Sequence, residues 1–209
     1  IIEKKAEKEG FKVLATLPHS ASTADLSSTI NKIKSLKPDA IIATTYLRDG
    51  TLLVDGLKEA KFAPKAIIGV ANGAFSNAQF ITGDKSLSEN ILDVNYTINP
   101  QSELAEDVKK RYKEKFNKEL GPNGAYSYMA AKVLIDAIER AGSTDRAEIQ
   151  KALTETKLKE HILPQGIIEF DVSGQNKNAQ AVLNQITDGQ TNVVYPEDYK
   201  SKEFVNPSK

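Results

Sequence analysis

Cysteine and tryptophan are absent from the 209 residues, histidine occurs twice and methionine once. Without cysteine there is no disulfide framework, no thiolate nucleophile and no cysteine-based zinc or iron–sulfur site. An excess of charge is lacking too, since 28 Lys and Arg stand against 28 Asp and Glu. That balance argues against a partner selected by bulk charge, so neither nucleic acid nor an anionic membrane surface is expected. No apolar run is long enough to cross a bilayer as a helix. The start at Ile1 shows neither the basic cluster nor the apolar stretch of a secretory signal.

Nucleotide and metal motifs are also missing. No Gly-Lys-Ser/Thr follows a strand-like run, and the glycines of residues 69–73 have the wrong spacing for a dinucleotide loop. His19 and His161 lie far apart, and neither has a helical partner four residues away. No metal and no cofactor is therefore expected. Acid–base catalysis would need paired groups at strand ends. Arg48 and Asp49 read instead as helix-start residues facing water.

What is present is a rhythm. Short runs of strand formers occupy residues 11–17, 40–45, 66–70 and 91–95, about one strand, one crossover helix and two turns apart. Between the first two, Leu26, Ile30, Ile33 and Leu36 fall on one helical face, with a cap-forming segment at 22–25 and Pro38 beyond the end. Leu52, Leu53 and Leu57 form a second stripe. Strands alternating with such helices imply a doubly wound α/β fold with a parallel sheet. Residues 1–10 read as the back half of a helix closed by Gly10. A crossover helix follows a strand, so the chain is expected to start inside a strand–helix unit.

Beyond Pro100 the pattern changes. Leu104, Val108, Tyr112 and Phe116 step by four along one helix, and residues 121–124 break it. A longer helix over 125–141 carries Tyr128, Ala131, Leu134, Ile135 and Ile138, and stops at Gly142. Asp145 and Glu148 have the spacing of a capping box for a third. Strand patterns return at 166–170, 181–186 and 192–195, with turns at 171–174 and 188–189. Three helices without strands of their own either cap the same sheet or belong to a second lobe whose sheet is not present. In the second case they are expected to pack elsewhere or against another copy of the chain.

In open parallel sheets, ligands bind where the carboxyl ends of the strands meet helix N-termini. Here those ends are residues 17–20, 44–47, 69–76 and 95–97. They carry hydroxyls, an amide, aromatic rings and a histidine with little charge, which suits a small polar ligand better than catalysis. The candidate ligand-binding residues are Thr44, Thr45, Tyr46, Ala71, Asn72, Phe75, His19 and Tyr96. No catalytic residue is assigned.

Residues 32–43 with Tyr46, Gly50, Leu52 and Leu53 resemble the periplasmic branched-chain amino-acid-binding proteins of ABC transporters. So do residues 63–69, 126–131, 137–143, 166–171 and 185–196, in order along nearly the whole chain. The resemblance is to their second part. It implies most of a C-terminal, Rossmann-like lobe of a type I periplasmic binding protein over residues 1–98 and 165–209, without its first strand. Helices of an incomplete N-terminal lobe then occupy 99–164. In that family an aromatic after the strand matching 40–45 meets the ligand, which implies Thr45 or Tyr46. An acid on the loop matching 70–75 pairs with the ligand ammonium in amino-acid binders, and here that loop has no acid. A buried ammonium without a charge partner is costly, so a small or aromatic carboxylate becomes as good a candidate as an amino acid.

The resemblance thus implies a truncated, extracytoplasmic solute receptor, periplasmic or membrane-anchored as a lipoprotein. It would capture a small polar solute between lobes and dock on a membrane permease, with self-association of the exposed helices. A sensory module of the same fold and a small doubly wound enzyme are the alternatives.

Overall fold

The computed structural model describes residues 5–6, 8–20 and 22–207. Of the helix read over 1–10, residues 1–4 and 7 lie outside the described residues. Its end is as expected: Gly10 has φ +77°, and the Phe11 N–H donates back to the Ala6 carbonyl at 2.8 Å.

Helix α1 spans Ser27–Leu36, β1 Ala40–Ala43, α2 Leu47–Glu59 and β2 Ala66–Val70. Two short helices follow, α3 over Ala78–Thr82 and α4 over Lys85–Ser88, before β3 at Leu92–Asn95. Strands β1, β2 and β3 are parallel neighbours, with Ala40 opposite Ala66 and Ile68 opposite Leu92. These are the expected strand–helix units. The sheet is nevertheless mixed, because β4 (Val182–Thr187) pairs antiparallel with β3, and β5 (Gln190–Tyr195) antiparallel with β4. The reason is local. Asp188 and Gly189 have φ +58° and +72°, the two-residue hairpin turn that reverses the chain.

The helix α1 begins one turn later than its cap-forming segment suggested. Asp25 accepts from the Ser27 N–H at 2.8 Å, and its apolar face buries Leu26, Ile30 and Ile33. With Leu53, Val54 and Leu57 of α2, Phe80 and Ile81 of α3, and Phe75, Ile91 and Ile186, these residues form one core against the sheet.

Residues 11–17 were expected as a strand and belong to no ladder. Phe11, Val13 and Leu14 are 69, 40 and 43% exposed. Strand propensity is realised only where a neighbouring strand offers its N–H and C=O groups, and β1 pairs with β2 alone. Residues 166–170 likewise form only two isolated bridges, Leu158 with Ile168 and Phe170 with Asn176.

Three helices follow β3: α5 over Glu103–Phe116, α6 over Pro122–Ala141 and α7 over Arg146–Thr154. The Ser102 hydroxyl caps α5, and Asp145 caps α7 through the N–H groups of Ala147 and Glu148. The helices build a second core of their own: Ala105 and Val108 of α5 meet Ala125, Met129 and Val133 of α6, closed over by Ile162, Leu163 and Ile168. Arg140 fastens α6 to α7 by donating to the Ala152 carbonyl at 2.7 Å and the Thr156 hydroxyl at 3.0 Å. The buried stripe of α6 is therefore Ala125, Met129, Val133 and Ala137, one step round from the stripe read in the sequence. Leu134 and Ile135 of that other stripe remain about half exposed, at 46 and 54%.

Candidate functional site

The carboxyl ends of β1, β2 and β3 bring most of the sequence-derived candidates into one row. Helix α2 starts directly behind β1. Tyr46 is its extended N-cap residue, and its N–H donates to Asp49 Oδ1 at 3.0 Å. A carboxylate in the first turn satisfies a donor that the helix leaves open and sits favourably on the helix dipole. The other oxygen, Oδ2, accepts from His19 Nε2 at 2.8 Å. Asp49 is 2% exposed, which corrects its reading as a helix-start residue facing water. His19 reaches down to it from the segment ahead of α1.

Thr45 is buried, and its hydroxyl has no hydrogen-bond partner among the described residues. A side chain on Gly50 would meet Thr45 Oγ1 at 2.9 Å, Ala74 at 3.1 Å and Phe75 at 3.3 Å. The bare glycine thus lets the turn after β1 close on the turn after β2. Phe75 itself is fully buried, its ring 5.0 Å from that of Phe80. It belongs to the core, which corrects its assignment to a ligand surface: the loop folds its one large apolar side chain inward.

Ahead of Phe75 the backbone is unusual. Ala71, Asn72 and Gly73 have φ +58°, +52° and +65° in succession, and Ala71 and Asn72 are exposed. Left-handed backbone at a residue with a Cβ costs about 1–2 kcal/mol. The Ala71 N–H donates to the Val94 carbonyl at 3.0 Å, which holds the turn on β3. Tyr46 and Tyr96 are 58 and 46% exposed. Tyr96 stacks edge-on against Tyr126 of α6, their centroids 5.7 Å apart. Thr44, like Tyr46, faces the surface.

An acid that the sequence reading did not single out lies below this row. Asp93, in the middle of β3, is 1% exposed and accepts from the Ser76 N–H at 3.1 Å and from the Ser76 hydroxyl. Burial holds its carboxyl above the ordinary value, while hydrogen bonds from Ser76 and Asn95 pull the other way. Its partner in register is Gly69, the one residue type that leaves room for the carboxylate. The signal was there: a glycine inside one strand run and an acid inside the next. Asp49 is thus engaged by Tyr46 and His19, and Asp93 by Ser76 through one oxygen only, its Oδ1 being buried without a partner among the described residues. What faces outward is aromatic, amide and backbone.

Comparison with known proteins agrees with this architecture. Residues 2–190 match the family model of a periplasmic binding protein. The chain belongs to that family, whose proteins are extracytoplasmic receptors. It is 26% identical over 203 residues to Leu/Ile/Val-binding protein homolog 7 of Brucella abortus, covering 91% of this chain and 49% of that protein. Among solved structures, the leucine-binding protein LivK of Thermotoga maritima superposes with a TM-score of 0.76 at 26% identity, covering 91% of this chain and 53% of that one. A solute-binding protein of Rhodopseudomonas palustris shares the fold at TM-score 0.77 and 14% identity, over 99% of this chain and 56% of that one. The chain thus spans about half the length of the relatives it matches.

Proposed function

We propose that this chain supplies one wall of the solute site of an ABC-transporter receptor, with the strand ends of β1 to β3 as the binding surface. The observation that carries the reading is the state of the acids. Asp49 is buried with both oxygens engaged, and Asp93 is buried with one oxygen held by Ser76 and the other without a partner among the described residues, while Tyr46, Ala71, Asn72 and Tyr96 lie exposed at the strand ends. Such a wall recognises a solute by shape, stacking and neutral hydrogen bonds. The solute class is a small amino acid or a small or aromatic carboxylate. A loop without an acid at 70–76 favours solutes whose recognition there needs no counter-charge for an ammonium.

On this reading, residues 1–98 and 165–209 form the binding lobe and 99–164 pack on a second lobe. Capture of the solute closes the lobes, and the closed form docks on a membrane permease. The location is periplasmic, or extracellular on a lipid-anchored protein. Self-association runs through the exposed stripe of Leu134 and Ile135, and a sedimentation coefficient that stays constant with concentration would rule this out. The receptor reading is tested by a thermal-shift screen of amino acids and carboxylates. A solute that raises the melting temperature of the wild type and not of Tyr46→Ala or Asn72→Ala supports it. Equal shifts in all three proteins would sink it.

A further inference from the structure

The sequence contains two Asn-Gly steps, Asn72-Gly73 and Asn123-Gly124, and the fold holds them in opposite ways. Asn72 lies exposed in the turn after β2, and its side-chain amide makes no hydrogen bond among the described residues. Gly73 has no side chain to shield its backbone nitrogen. The Gly73 N–H donates to the Ala71 carbonyl at 2.5 Å, closing a three-residue turn centred on Asn72. With φ +52° at Asn72, this is the rare, strained form of that turn. The loop is anchored at its flanks, by the Ala71 N–H on the Val94 carbonyl and by Ser76 on Asp93. Its exposed centre can therefore rotate without disturbing a strand or a helix. Asn123 and Gly124 sit instead in the first turn of α6. There the Asn123 carbonyl accepts from the Ser127 hydroxyl at 3.0 Å, and the next residue, Ala125, is fully buried with its N–H on the Gly121 carbonyl at 3.1 Å.

We propose that Asn72 is a site of spontaneous covalent modification, at which its side-chain amide is exchanged for a carboxylate. The Gly73 nitrogen gives its proton to water and attacks Asn72 Cγ. As that bond closes a five-membered imide, the bond from Cγ to Nδ2 breaks and Nδ2 takes up a proton and leaves as ammonia. Water then opens the ring at one of its two carbonyls, giving aspartate or isoaspartate. No electrons are exchanged, and water is the only other reactant. Both products carry a negative charge, on a loop whose residues 70–76 have none. Because 28 cationic residues balance 28 acids, one conversion makes the chain net negative. Ring closure takes the backbone out of helical geometry. At Asn123 it must therefore wait for the first turn of α6 to open, which slows it about tenfold or more, the cost of one or two hydrogen bonds. A carboxylate at residue 72 attracts an ammonium and repels another carboxylate. That consequence for solute choice rests on the receptor reading, whereas the modification itself does not.

The test ages the freshly purified chain in warm, mildly alkaline buffer and follows each Asn-Gly step by peptide mass spectrometry. Residue 72 is expected to gain the mass difference between NH and O about tenfold or more faster than residue 123. In urea that unfolds the chain, the two steps should convert at similar rates, which supplies the reference. A more acidic species should appear on ion exchange with the same time course. Asn72→Gln, whose longer side chain would need a six-membered ring, should not form it. Conversion of Asn72 no faster than Asn123 in the folded chain, or an intact Asn72 while the unfolded chain converts, would overturn the proposal. The acidic species, once isolated, is then compared with fresh chain in thermal shift against amino acids and simple carboxylates. A preference moved toward amino acids supports the consequence for solute choice, and an unchanged preference overturns it. If no solute stabilises either form, the receptor reading falls while the modification, read by mass, stands.

Discussion

His19 Nε2 lies 2.8 Å from Asp49 Oδ2, and through that one contact the segment ahead of α1 is tied to the first turn of α2, 30 residues away. The carboxylate works twice, since its other oxygen caps the helix through the Tyr46 N–H. Asp49→Ala removes both bonds and is expected to cost about 2–3 kcal/mol of stability, the sum of a lost helix cap and a buried hydrogen bond. His19→Ala leaves one buried oxygen without its partner and should cost about 1–2 kcal/mol. Urea denaturation of the two single variants and the double variant checks the pair. The double variant should lose less than the sum by about 1 kcal/mol, and strict additivity would show that the contact contributes nothing.

Gly69 and Asp93 stand opposite each other in the parallel pairing of β2 and β3. A Cβ on Gly69 would come within 2.4 Å of Asp93 Oδ1 and 2.6 Å of the Phe75 ring. Both are buried and neither can swing into solvent. Gly69→Ala is therefore expected to destabilise by about 2–3 kcal/mol through overpacking. Gly166→Ala, where nothing lies within 4 Å of the new methyl, is the matched control and should change stability little.

The raised pKa of Asp93 has a definite consequence for stability against pH. The folded protein keeps the proton to higher pH than the unfolded chain, whose carboxyl titrates near the ordinary 3.8. Stability therefore falls as pH rises from about that value through the folded pKa. Asp25, Asp84 and Asp188 act oppositely: hydrogen bonds from Ser27, Ser86 and Lys202 respectively hold them low, Asp84 at about 2. Their contribution is present above 3.8 and is lost as pH falls through the lowered values. The Asp93→Asn variant isolates one group from the others. Asparagine still accepts from Ser76 and cannot ionise, so the stability of Asp93→Asn relative to wild type should increase between pH 4 and pH 7. A difference independent of pH would contradict the burial effect.

Asn72 offers a way to change selection without disturbing the fold. It is exposed and has φ +52°, a conformation that Asp also tolerates. Asn72→Asp places a carboxylate on the loop where a solute ammonium would lie. It is expected to favour amino acids over simple carboxylates by at least tenfold relative to wild type, measured by competitive titration. An unchanged ratio would place Asn72 outside the site.

Much of this architecture was legible because it is written in local periodicity. The runs that became β1 to β5 each carry their own strand formers, and the helices their own caps, as Ser102 and Asp145 show. What escaped depends on partners distant in the chain. Residues 11–17 have strand chemistry without a neighbouring strand to realise it. Helix α6 has two apolar stripes, and periodicity cannot say that Met129 and Val133 are covered while Leu134 and Ile135 are not. The site divides in the same way. That Tyr46, Asn72 and Tyr96 lie exposed just beyond strand carboxyl ends was legible from the strand runs that precede them. The inward turn of Phe75 and the meeting of His19 with Asp49 are products of the folded loops.

The strand-end surface is the centre of the account, and amide chemical-shift mapping tests it most directly. The solute that gives the largest thermal shift would be titrated into isotope-labelled chain. Shifts are expected to concentrate at residues 17–20, 44–47, 70–76 and 95–97, with little change along α5 and α7. Shifts confined to the helices or to residues 161–180, or none at saturating solute, would show that the carboxyl ends of β1 to β3 are not the binding wall.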